Sequence, residues 1–157
     1  MTLAIEYRLL NAGWAECTVR VGSISQELSA SYLSDALGNL VLAAVGVLAG
    51  LHCVATSFDE EPGEYRWVIE RASGADISLK VVAFDELWTN KPNSEGKVLV
   101  ETTCHPLLFG EAVHRAATAV LAEHGEAGYR EKWEEHDFPS RQLELLTEYI
   151  SRWQRDR

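Results

Sequence analysis

Basic residues are scarce in this chain. Its 157 residues hold 14 Lys and Arg against 24 Asp and Glu, for a net charge of −10. A nucleic-acid binder needs clustered cations for phosphate contacts, and an anionic membrane repels such a surface, so neither partner is expected. The one dense basic stretch, Arg152, Arg155 and Arg157, is too short to alter that. Cysteine is equally sparse. Cys17, Cys53 and Cys104 are odd in number, far apart and without a C-x-x-C, which excludes a disulfide framework and predicts reduced, mostly buried thiols in a cytoplasmic protein. The opening MTLAIEYRLL lacks a basic stretch ahead of an apolar one, so a signal peptide is not expected. Also missing are G-x-G-x-x-G, Walker A, G-x-S-x-G and H-E-x-x-H, and with them the usual signs of a bound cofactor or catalytic metal. Glu111 and His114 form a single E-x-x-H, half of a di-iron set at most, and His114, His124 and His136 lack zinc-ligand spacing. No cofactor and no metal are expected.

What is present is core material. Apolar residues make up 46% of the chain, with five Trp, five Tyr and four Phe, enough for one domain spanning residues 1–157. Ala36 to Ala55 is as long and nearly as apolar as a membrane span. Asn39 and His52 interrupt it, and no Lys or Arg flanks it, so it reads as a buried helix running into a strand.

Strict alternation over Leu3–Leu9 and again over Trp14–Val21, around the turn Asn11-Ala12-Gly13, predicts a hairpin. Ser29 or Ser31 is the expected cap of a helix from about Tyr32 to Ala49, apolar nearly all round in its second half. Four strands follow: His52–Phe58, Glu64–Arg71, Ile77–Phe84 and Lys97–Cys104. Their connections are short except for a longer loop over residues 85–96, which predicts antiparallel neighbours. Pro106 then suits a helix start, Gly125 a left-handed helix end, and Pro139 opens a last helix after a short one near Gly128–Glu135. The expected fold is α+β, in the order ββ-α-ββββ-α-α-α. It has an antiparallel sheet of about six strands with helices packed on one face.

Candidate chemistry concentrates in two places. His52-Cys53 and Cys104-His105 hold the nucleophile and base types of Cys–His catalysis. Adjacent strand residues point to opposite faces, so neither pair works within itself, while Cys53 meeting His105 across strands stays open. Cys104, just ahead of the Pro106 helix, is the best placed of the thiols, with His105 and Arg66 as companions. The second place is Asp59, Glu60, Glu61 and Glu64, four carboxylates in six residues around a Pro-Gly turn. They make either a solvated loop or a landing patch for a basic protein. Trp67 shares a face with Tyr65 and Ile69 and belongs to the core, whereas Trp88 lies in the long loop and is the candidate exposed anchor.

Glu61-Pro62-Gly63-Glu64-Tyr65-Arg66-Trp67, then a strand and Leu87-Trp88-Thr89-Asn90, then the helix end Ala122-Glu123-His124-Gly125, together resemble a family of small bacterial proteins. The resemblance covers the middle and C-terminal two-thirds and implies a bacterial, cytoplasmic, single-domain chain. It brings no activity, so no functional residue is carried over from it. Two readings result. One is a non-enzymatic, immunity-type or accessory module that covers a basic partner through Asp59, Glu60, Glu61, Glu64 and Trp88. The alternative is a small metal-independent enzyme using Cys104, His105 or Arg66. Homodimerisation through the apolar Leu40–Leu51 stretch is compatible with either.

Overall fold

The alternating N-terminal segments pair as the pattern requires. In the computed structural model, which describes residues 2–156, β1 (Leu3–Leu9) and β2 (Trp14–Val21) are antiparallel, with Leu3 opposite Val21 and Leu9 opposite Ala15. Leu3, Ile5, Tyr7, Leu9, Ala15, Cys17 and Val19 fill one buried face. Gly13 closes the turn at φ 76, where a Cβ would lie 2.6 Å from the Tyr32 ring, so glycine is needed for both conformation and space.

A third strand, β3 (Ile24–Ser31), joins β2 through the two-residue turn Gly22-Ser23, with Val21 opposite Ile24. This corrects the expected order. Among the described residues, seven strands form two antiparallel sheets, β1-β2-β3 and a four-stranded one, rather than a single sheet of about six. Ser29 and Ser31 lie in β3 and cap nothing. Strand Ile24–Ser31 buries little besides Leu28, Ala30 and Ser31, so its apolar period is faint, and it forms because β2 offers a free edge.

The helix α1 (Ala36–Leu48) therefore starts later than expected. Its cap is Asp35, whose Oδ1 accepts a 3.3 Å hydrogen bond from Gly38 N. Most of its apolar surface is covered within the chain, by β4 (Cys53–Asp59), by α2 (Pro106–Trp133) and by α3 (Ser140–Arg155), while Leu42 stays exposed. A Cβ on Gly110 of α2 would fall 2.8 Å from Leu48, so the two helices touch nearly backbone to side chain there. Trp153 of α3 donates to the Leu48 carbonyl at 2.8 Å, taking up one of the free carbonyls at the end of α1. No helix among the described residues is long and apolar enough to cross a membrane.

The second sheet runs β4 (Cys53–Asp59), β5 (Glu64–Arg71), β6 (Ile77–Phe84) and β7 (Lys97–Cys104) in sequence order, all antiparallel as expected. Phe58, Trp67, Ile69, Leu79, Val81 and Val100 are buried in it. The Trp67 ring sits 5.6 Å from Phe58 and 6.5 Å from Phe109 of α2, which joins sheet to helix in one continuous apolar core. Full burial of such a side chain is worth about 1.5–3 kcal/mol.

Pro106 opens α2 as expected, and His105 Nδ1 accepts from Leu107 N at 3.1 Å. Gly125 does adopt a left-handed φ of 68°, and the chain resumes helix beyond it. The two expected helices are thus separate segments of α2, meeting at a kink where Gly125 is non-helical (φ 68, ψ 173). Beyond the kink the chain folds back on the first sheet. Gly13 N donates to Lys132 O, Trp133 Nε1 to Ser34 O at 3.3 Å, and His136 Nε2 lies 3.1 Å from Tyr32 O.

Candidate functional site

Alternate residues of a strand share a face, so Glu64 and Arg66 lie opposite the core-facing Trp67. Register places Arg66 beside Val82, Glu64 beside Phe84 on one side, and Asp59 beside Glu64 on the other. The loop 85–96 roofs this outer patch. It approaches so closely that a Cβ on Gly96 would collide with Val82 and come within 2.8 Å of the Phe84 ring.

Arg66 pins that loop. Nη1 donates to Lys91 O at 2.9 Å and to Asn93 Oδ1 at 2.8 Å, and Nη2 reaches Thr89 O at 3.5 Å. The same guanidinium pairs with Glu64 at 3.2 Å and lies 4.2 Å above the Phe84 ring. A planar fork with five donors suits this set of acceptors, and the ring beneath holds its plane. Both charged side chains are largely buried, at 14% and 6% exposure.

The neighbouring carboxylates are also used inside the molecule. Asp59 is buried and accepts from Trp88 Nε1 at 3.2 Å. Burial raises its pKa and Glu64 adds to that, while the indole hydrogen bond opposes it. Glu60 accepts from Ser29 Oγ at 2.7 Å and stands beside Tyr65, whose pKa is raised by burial and then by Glu60. Glu61 alone of the four is exposed, at φ 52 on the turn. Trp88 is 72% exposed and held at φ 50. Of the five expected partner-facing residues, then, Glu61 and Trp88 face outward, and the exposed Asp85 and Glu86 precede Trp88 on its loop. Asp59, Glu60 and Glu64 hold the platform beneath them.

The expected Cys–His–Arg group is not brought together. Cys104 pairs with Ile77 at one end of β6, and Arg66 with Val82 five residues along it, roughly 17 Å away at strand rise. Cys104 is buried and its thiol is pushed up to about 11, by burial and then by Asp76, the reverse of activation. His105 serves as the α2 cap and packs edge-on against Trp153 at 5.5 Å. Cys53 does not meet His105, because β4 and β7 are opposite edges of their sheet. Cys17 is buried with its thiol raised, and Cys53 is exposed. His114 bonds Thr147 Oγ1 at 2.8 Å, and Thr147 donates onward to Leu143 O, so this pair ties α2 to α3. Among the described residues, no three His, Cys, Asp or Glu side chains converge to hold a metal ion.

One site has no counterpart in the sequence reading. The fold-back of residues 133–140 over the start of α1 leaves an open polar cleft of about 550 Å³ with Asp35 and His136 in its wall. Asp35 and His136 are a hundred residues apart, and no local spacing links them. The only sequence signal was Asp35 ahead of an apolar helix.

No family model, curated protein or solved structure matches the chain. Function is therefore argued from the site itself.

Proposed function

We propose that the chain is a non-enzymatic protein-binding module whose contact surface centres on Trp88. The observation that carries this reading is an exposed tryptophan on a pre-organised loop. Its indole N–H is satisfied by Asp59, and Arg66 holds the loop beyond it through the Thr89 and Lys91 carbonyls and the Asn93 side chain. Exposed aromatic surface on a loop held rigid before contact lowers the ordering cost of binding, and tryptophan is among the strongest interface anchors. Glu61, Asp85 and Glu86 give the surroundings an acidic character, so the partner is a protein with an apolar pocket and a basic rim. Cytoplasmic residence accords with three unpaired thiols.

The test is capture from host lysate with tagged wild type and with Trp88→Ala, at low and raised salt. A basic protein retained by wild type, weakened by salt and lost with Trp88→Ala supports the module. Retention of the same protein by Trp88→Ala overturns it.

Self-association is a second reading with its own observation. Leu42 and Leu51, 51% and 57% exposed, border an apolar groove of about 270 Å³ beside the edge strand β4. Most of the rest of Leu40–Leu51 is buried in the chain's own core, so a homodimer would form through these two leucines rather than the whole stretch. Sedimentation of wild type and Leu51→Glu checks it. A wild type that stays monomeric at high concentration sinks it.

A further inference from the structure

Strand β4 bonds a neighbour on one side only, β5. At its two ends His52 O accepts from Arg71 N, and Glu60 N donates to Gly63 O. Residues of an antiparallel strand alternate in direction, so Val54, Thr56 and Phe58 turn their backbone groups to β5, and Cys53, Ala55 and Ser57 turn theirs outward. Asp59 is next in the outward series. Its N–H donates to Ser34 Oγ at 3.2 Å, which closes that end of the edge. The N–H and C=O groups of Cys53, Ala55 and Ser57 have no partner among the described residues.

Folded chains shield such edges with charge, proline, a bulge or a covering element. The other edges here are shielded in these ways. β1 lies along α2. β7 carries Lys97 and Glu101, and its pairing with β6 shifts register between Val81 and Val82. β3 presents the exposed Glu27. β4 has no such device. Its register with β5 is unbroken from Cys53 to Asp59, and no Asp, Glu, Lys, Arg or Pro occurs from Ala36 to Phe58. The same uncharged run supplies the groove beside the edge, where Leu42, Ala43 and Gly46 of α1 and Leu51 border Val54 and Thr56. An occupant must offer extended backbone to the edge and apolar side chains to the groove, which describes an added strand.

We propose that this strand is β4 of a second copy, paired antiparallel about a twofold axis through Ala55, so that two four-stranded sheets become one. The proposal rests on the self-association reading above and names its contact. In this register Ala55 faces the partner's Ala55, and Cys53 faces the partner's Ser57. Outward-pointing residues meet outward-pointing residues, and each pair exchanges both N–H···O bonds. The axis stands perpendicular to the sheet, so Leu42 and Leu51 of both copies gather on one face. Charge favours a second copy as the occupant. A chain of net charge −10 approaches its own copy at least cost where carboxylates are absent, as they are here. Reversing the strand also brings the partner's Glu60 toward Arg71, which lies beside Gly50 and has no ion pair among the described residues.

The test is sedimentation of the full chain over a concentration series, with Ala55→Lys, Ala55→Glu and Ala55→Pro. Ala55 is exposed, so a charge there leaves the monomer intact. Its N–H points away from β5, so proline costs the β4–β5 ladder no hydrogen bond. Urea unfolding checks that each variant is folded, and the two charged variants carry the test if proline fails. The wild type should dimerise, and each variant alone should dimerise at least about tenfold more weakly, since like charges then meet across the axis. An equimolar mixture of Ala55→Lys and Ala55→Glu should recover the dimer, because recovery requires residue 55 to face itself. A wild-type dimer that none of the variants weakens would overturn pairing through β4 and leave self-association standing. Dimers weakened by both charges and not restored by mixing would overturn the twofold register. A wild type that stays monomeric throughout would overturn self-association as well and leave the edge to a strand of another protein.

Discussion

Arg66→Met tests whether one guanidinium organises the recognition loop. The substitution keeps much of the side chain's length and its contact with Phe84. It removes the donors to Thr89, Lys91 and Asn93 and leaves Glu64 buried without its cation. Removing one member of a buried ion pair costs about 3–5 kcal/mol, most of it the stranded charge. In a chain of this size each kcal/mol moves the melting midpoint by about 2–4 °C, so a fall of roughly 6–20 °C is expected. Urea unfolding supplies the free energy, and amide exchange of residues 85–96 reports on the loop itself. Exchange there should accelerate well beyond any change in β2 or α1. Glu64→Gln added to Arg66→Met should recover about 1–3 kcal/mol, because the unpaired charge is gone. A loss below about 1 kcal/mol with unchanged loop exchange would show that Arg66 does not hold the loop.

Gly96→Ala attacks the same loop sterically. The new methyl group collides with Val82, so a loss of about 1–3 kcal/mol and freer exchange at residues 89–96 are expected by urea unfolding and NMR. Asp35→Asn should raise stability at neutral pH. Burial lifts the Asp35 pKa above its ordinary 3.8, with Asp137 adding to that and His136 and the Gly38 hydrogen bond opposing. The folded state therefore holds the proton more tightly than the unfolded chain. Wild-type stability falls as pH rises from 3.8 through the raised value, and the gap to Asp35→Asn should close as pH drops below 3.8. Melting curves from pH 3 to 8 check this, and a wild type more stable than Asp35→Asn at pH 7 would contradict it. With a thiol reagent at pH 8, one cysteine, Cys53, should react quickly. Cys17 and Cys104 should wait for unfolding, because both are buried and their thiols are raised.

The regular parts of this fold were legible where side chains alternate. Leu3–Leu9, Trp14–Val21, Glu64–Arg71, Ile77–Phe84 and Lys97–Cys104 each carry a period of two and begin and end where the pattern says. β3 escaped because Ser25, Gln26, Glu27 and Ser29 dilute its period, and because serines near an apolar helix imitate caps. Gly125 marks the helix end that the pattern expects, because its φ of 68° and ψ of 173° interrupt the helix before the chain turns helical again. Trp88 in the long loop was visible as an exposed anchor. The engagement of Asp59, Glu60 and Glu64 was not, since each meets a partner distant in sequence or hidden by strand register: Trp88 and Ser29 are respectively 29 and 31 residues away. Charge density along a chain counts carboxylates without saying which way they point. The Asp35 cleft lay deeper still, being assembled from two ends of the chain.

The fold-back of residues 132–136 also has a consequence for the order in which the protein is made. β1, β2 and β3 emerge from the ribosome first, with their turns and with the carbonyls of Tyr32 and Ser34. The groups that satisfy those carbonyls, His136 and the Trp133 indole, and the Lys132 carbonyl that receives Gly13 N–H, arrive about a hundred residues later. Chains usually settle N-terminal units first during synthesis, whereas contacts so remote in sequence form slowly. The first-made sheet therefore remains provisional until α2 is nearly complete, and a nascent chain arrested before Trp133 should leave that sheet open to proteases.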